Sequence, residues 1–104
     1  MKIYNIEYIR DITEYNKIVK DLNKYGNYNG YEIAVENIFF KIKESAIKGN
    51  NSASYSYSFY KEYKEQSIVL IIRCANILCN LLNNFKYHSE IINNSNNVEI
   101  KITW

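Results

Sequence analysis

Between Glu62 and Lys86 the chain carries an apolar pattern too broad for a surface helix. Leu70, Ile71, Cys74, Leu78, Leu81, Leu82 and Phe85 fall on one stripe at helical spacing, with Ile68, Ile72, Ala75 and Cys79 beside it. A helix apolar over so wide an arc touches more than one neighbour. The spacing therefore predicts a central helix over 62–86, about 37 Å long at ~1.5 Å per residue. The β-branched run from Ile68 to Ile72 also fits a buried strand, but the register continuing through Phe85 favours helix. Glu62 to Gln66, the first turn and a half, is polar.

Two segments alternate as strands do. Ala53, Tyr55, Tyr57 and Phe59 share one parity, and Ser54, Ser56, Ser58 and Tyr60 the other. Val98, Ile100, Ile102 and Trp104 alternate with Glu99, Lys101 and Thr103. Strict alternation means a half-buried strand, and Trp104, in phase with the core face, is expected to be packed. Tyr87 to Ile92 supplies a second strand, and Asn93 to Asn97 reads as the turn of a hairpin.

Ahead of these lie two amphipathic helices. Over 12–25, Ile12, Tyr15, Ile18, Val19, Leu22 and Tyr25 form one stripe; Asp11 is the expected cap, with Glu14 three residues on, and Gly26 the stop. Over 31–48, Tyr31, Ala34, Val35, Ile38, Phe39, Ile42 and Ala46 share a face, and Gly49 closes the helix. Residues 2–9, where Tyr4, Ile6 and Tyr8 alternate, are expected to form a strand. The sum is one α+β domain over 1–104 of order (β)ααβαββ. Its antiparallel sheet has at least three strands, with helices packed on one face. The helix covering the sheet is expected to be 62–86.

A chain of 104 residues and 12.4 kDa is enough for one small core. Ile, Asn, Lys and Tyr dominate and Pro is absent. All four have AT-rich codons, which points to a low-GC genome and makes part of the 11 tyrosines codon bias. The net charge of +2 is too small to indicate nucleic acid or an anionic membrane. No stretch reaches the roughly 18–20 apolar residues that span a bilayer, and the run from Ser67 to Ile72 is followed by Arg73. The first residues lack a signal peptide's apolar stretch. The expectation is a cytoplasmic protein without membrane contact.

The second half has a helix ending Ala46-Ile47-Lys48-Gly49, an alternating strand, and then Leu82-Asn83-Asn84-Phe85-Lys86-Tyr87 leading into a hairpin that ends Ile100-Lys101-Ile102-Thr103-Trp104. This pattern, over 40–104, resembles small phage-encoded proteins of unknown role that often close on Leu…Gly-Tyr…Ile-x-Ile-Ser-Trp. Phe85-Lys86 stands here where a Gly usually precedes the Tyr. The resemblance transfers no catalytic residue. It implies a phage or mobile-element origin and, in the host cytoplasm, a role in binding host machinery.

Residues that carry chemistry are sparse. One histidine, His88, and two cysteines outside any C-x-x-C spacing give no zinc set. No Asp-rich loop suits Mg²⁺ or Ca²⁺. Cys74 or Cys79 with His88 is formally a nucleophile–base pair, but the cysteines sit on the core helix and read as packing thiols. Gly26, Gly30 and Gly49 fit no phosphate-loop template. Glu62/Glu65 and Glu32/Glu36 have solvent-face spacing. No catalytic residue, metal or cofactor is expected, and the chain is expected to act by contact. The candidate contact residues are Tyr28, Tyr60, Lys61, Lys64 and Lys101. Tyr4, Tyr8, Tyr28 and Tyr60 are expected to remain exposed, and tyrosines suit an interface.

The leading expectation is a non-enzymatic protein that binds and inhibits or modulates a host protein, as an anti-CRISPR-like anti-defence protein would. A nucleic-acid-binding module using Tyr60 and the lysines is the second reading. A small oligomer that sequesters a small ligand between subunits is the third. The Ser54/Ser56/Ser58/Tyr60 and Glu99/Lys101/Thr103 faces are expected to form the open side of the sheet, able to form a homodimer or take a partner.

Overall fold

Asn5 starts the first helix. The computed structural model describes residues 5–104, and in it α1 runs Ile6–Leu22. The Asn5 side chain accepts a hydrogen bond from the Tyr8 N–H at 2.8 Å, a side-chain N-cap. The expected strand at 2–9 is therefore corrected: residues 6–9 are helical, and 2–4 lie outside the described residues. Tyr8, Ile12, Tyr15 and Val19 recur at helical spacing, and a capping Asn outweighs three alternating side chains. Asp11 sits inside the helix, not at its cap. Burial and the Glu14 and Glu7 carboxylates on the neighbouring turns raise its pKa. The helix also ends before Gly26, at Leu22 with Asn23 as its cap.

Helix α2, Tyr31–Ile47, follows. Its first N–H, from Tyr31, donates to Asn16 Oδ1 on α1 at 2.9 Å, so one helix satisfies an orphan donor of the next. Tyr31, Ala34, Ile38 and Ile42 are buried; Ala46, expected on that face, is exposed. At the C-terminus Gly49 N–H donates to Ala46 O at 2.9 Å and Asn50 N–H to Ser45 O at 3.0 Å. This is the paired closure of a Schellman motif, with Gly49 at φ +83° in the left-handed region glycine adopts freely.

The sheet has three antiparallel strands in the order β1-β3-β2: β1 Ser52–Ser58, β2 His88–Asn93 and β3 Asn97–Thr103. The hairpin turn closes through Asn94 N–H to Asn97 O, 2.9 Å. β3 is central, which explains why its alternation is the strictest. Val98, Ile100 and Ile102 are fully buried. Tyr57, Tyr55 and Ala53 oppose them from β1, and Ile91 and Ser89 oppose Ile100 and Ile102 from β2. The other parity carries Ser54, Ser56, Glu90, Glu99 and Lys101 and has no helix over it.

Helix α3, Lys64–Asn84, enters through a 3₁₀ turn at Lys61–Tyr63. Ile71, Cys74, Ala75, Leu78, Cys79 and Leu82 are buried, the wide apolar arc that its spacing required. It packs on β2, β3 and α1, but does not cover the sheet alone, because α2 lies against β1. The molecule is 18 Å thick in its thinnest direction, room for one sheet and one helix layer. Lys61–Asn84 is long and apolar enough to cross a bilayer, contrary to the expectation that no stretch is. Here its apolar side is taken up by the core.

Two aromatic side chains expected in the core are not there. Phe85 caps α3 and is 60% exposed. Trp104 lies one residue beyond the last pair, Ser52 with Thr103. It is 41% exposed and rests edge-on against Tyr87, centroids 6.2 Å apart. Phase along a strand does not bury a side chain once the partner strand has ended.

Candidate interaction surface

Two loops meet at one end of the molecule. One links α1 to α2, and the other links β1 to α3. Asn23 Oδ1 accepts from the Tyr28 N–H at 2.8 Å, an Asx-type bond that folds the first loop back. The Tyr28 hydroxyl then donates to the Ser58 carbonyl at 2.9 Å, fastening that loop to the end of β1. Gly26 permits this approach, since a Cβ there would lie 2.8 Å from the Tyr28 ring. Nearby the Tyr25 and Tyr63 rings pack with centroids 5.5 Å apart at 41°.

Between the loops is a cleft of about 230 Å³ lined by Gly26, Asn27, Tyr28, Ser58, Phe59 and Tyr60. Tyr60 is 61% exposed and Tyr63 41%. Lys64 Nζ lies 6.0 Å from the Phe59 ring centroid, within cation–π range. Ser67, close to the Tyr28 hydroxyl, is fully buried. Burial raises the Tyr28 hydroxyl pKa; the Ser67 hydroxyl acts against that, and Tyr60 adds to it. The phenol therefore stays protonated, as a donor to Ser58 must.

Four of the five expected contact residues, Tyr28, Tyr60, Lys61 and Lys64, belong to these two loops or the helix turn beside them. Their roles differ from expectation. Tyr28 is half-buried and holds the loops together, and Tyr60 lies beyond the end of β1 rather than on its serine face. Lys101 is not part of the group. It lies on the open sheet face, opposite Ser54 and Glu90. Tyr25 and Tyr63 were missed. Tyr25 was assigned to the core stripe of α1, but the helix stops short of it. The paired spacing Tyr25/Tyr28 and Tyr60/Tyr63 was the available signal.

The thiols face the interior. Burial pushes Cys74 up to about 12 despite the adjacent Arg73, and burial also raises Cys79. A thiol held protonated is a poor nucleophile. His88 is exposed on the open sheet face, opposite Thr103, across the sheet from both cysteines. Among the described residues no three His, Cys, Asp or Glu side chains group to hold a metal. The carboxylates of Glu32, Glu36, Glu62 and Glu65 are on exposed residues. The buried tyrosines are structural. Tyr15 and Tyr57 share a hydrogen bond of 2.6 Å between hydroxyls, and burial raises both pKa values.

An ααβαββ α+β domain with a two-loop aromatic end is thus the class this chain defines. It matches no family model, no curated protein and no solved structure.

Proposed function

We propose that this is a small non-enzymatic binding protein of phage or mobile-element origin. It inhibits or modulates a host protein by covering part of its surface, as an anti-defence protein does. The observation that carries this reading is the convergence of Tyr25, Tyr28, Phe59, Tyr60 and Tyr63 at one end of the fold. Tyrosines held by packing and by a backbone hydrogen bond lose little entropy when a partner covers them. The sequence resemblance supplies the phage origin and the host partner.

Charge favours protein over nucleic acid as the partner. Lys61 and Lys64 alternate with Glu62 and Glu65, so this end has no concentrated positive field of the kind that phosphate backbones require. Affinity capture from a low-GC host lysate, followed by calorimetry with the purified partner, tests the reading. One stoichiometric protein is expected. Tyr60→Ala or Tyr63→Ala is expected to weaken it at least tenfold, a loss of about 1.4 kcal/mol or more, and Lys101→Ala less than twofold. Capture of no protein, or equal affinity for all three variants, refutes the reading. A low-salt gel shift with nucleic acid that Tyr60→Ala abolishes would establish the nucleic-acid reading instead.

A further inference from the structure

Along the solvent face of α1 runs a stripe of five charges, Glu7, Arg10, Glu14, Lys17 and Asp21, which Lys24 extends to six in the turn just past the helix end. All six residues are exposed. The spacing of three and four residues keeps the five helical ones on one side of the helix, and the six signs alternate from end to end. An alternating stripe of even length is complementary to itself when reversed. Laid antiparallel on a second copy of α1, about a two-fold axis midway between Tyr15 and Asn16, Glu7 meets Lys24, Arg10 meets Asp21 and Glu14 meets Lys17. Each pairing then recurs on the other side of the axis. We infer that this chain forms a weak two-fold dimer through the solvent face of α1.

Three further observations point the same way. A shallow groove of about 510 Å³ runs beside this face, with Arg10, Glu14, Lys17 and Asp21 of α1 on one wall and Arg73 of α3 on the other. It leaves room for side chains of a second helix laid on this face. Among the described residues, the stripe closes only one ion pair along itself, Lys24 of the following turn with Asp21 at 3.7 Å. Glu14 instead reaches across to Arg73 at 3.4 Å, and Arg10 and Lys17 are in no ion pair among the described residues. Lastly, Ile6 and Ile9 are 63% and 46% exposed at the start of the same helix. The antiparallel arrangement lays them along the Lys24 end of the second copy, whose methylene stem covers apolar surface. Exposed ion pairs contribute little each, so these apolar ends supply adhesion and the charges set the register. The interface involves neither Tyr60 nor Tyr63, and it stands or falls independently of the host-partner reading.

Sedimentation equilibrium of the full chain in low salt is the test, with far-ultraviolet circular dichroism as the folding control. The wild type is expected to show a monomer–dimer equilibrium whose dissociation constant rises at least tenfold between 50 and 500 mM salt, roughly as screening dictates. Glu14→Lys puts two lysines face to face and Lys17→Glu puts two glutamates face to face, so each variant alone is expected to be monomeric. Mixed in equal amounts they regain complementarity at both positions and are expected to form a heterodimer. A wild type that stays monomeric at every accessible concentration overturns the proposal. So does a dimer that survives in both single variants, or a mixture that stays monomeric.

Discussion

Two helices of this protein end in the same way with different residues at the critical position. Helix α3 closes through Lys86 N–H to Asn83 O and Tyr87 N–H to Leu82 O, both 3.0 Å. This is the pair of bonds that ends α2 at Gly49 and Asn50. Gly49 stands at φ +83° and Lys86 at φ +72°. A side chain in the left-handed region costs about 1–2 kcal/mol, while a glycine placed there loses about 0.5–1 kcal/mol more backbone freedom on folding. Lys86→Gly should therefore stabilise the fold by about 0.5–1 kcal/mol, the difference of those two effects. Gly49→Ala should cost about as much, and its Cβ would meet nothing within 4 Å, so the whole effect is conformational. For a domain of this size that means Tm changes of about 2–8 °C in opposite directions. Urea and thermal melts of both variants measure them. A Lys86→Gly variant no more stable than wild type, beside a destabilised Gly49→Ala, would refute the argument that backbone conformation sets the energy of this closure.

Other outcomes follow from the core. Leu78 is fully buried and Leu81 only partly, so Leu78→Ala should cost about 2–5 kcal/mol by denaturant melts and Leu81→Ala distinctly less; equal losses would contradict the assigned face of α3. Tyr57→Phe leaves the buried Tyr15 hydroxyl unpartnered and should cost about 1–3 kcal/mol, whereas adding Tyr15→Phe should recover most of that. A double variant as unstable as the sum of the singles would show that the bond between the hydroxyls is not what holds them. Stability should also fall at high pH. Cys74 titrates from 9.0 when unfolded to about 12 when folded, and Tyr31 from 10.0 to about 12. Above pH 9 the unfolded chain releases protons that the folded chain retains, so stability is full below pH 9 and is lost as pH rises towards 12. Identical urea midpoints at pH 8 and pH 11 would contradict the burial of these groups.

The readable parts of the fold are those where one local force acts alone. β3 was legible because a central strand covered on one face must alternate, and α3 because no surface helix tolerates so wide an apolar arc. The start of α1 was misread because Tyr4, Ile6 and Tyr8 alternate by chance over a segment whose outcome is set by one Asn5 hydrogen bond. Trp104 and Phe85 were misread because periodicity says which way a side chain points and nothing about where its neighbours stop. The candidate surface divides along the same line. Tyr60, Lys61 and Lys64 are adjacent in sequence and were found. The contact of Tyr25 with Tyr63 is made between two loops and depends on packing that periodicity does not encode. Lys101 was expected on the open sheet face, and the antiparallel register places it there, opposite Ser54 and Glu90 and apart from the two loops.

On the proposed function, the protein acts by presenting the two loops of its aromatic end to a host protein. Amide hydrogen exchange of the complex with the captured host protein measures this directly. Added protection should concentrate at residues 23–30 and 59–64, leaving β3 around Lys101 at its free-state rate. Protection confined to the open sheet face, with both loops exchanging as in the free protein, would contradict it.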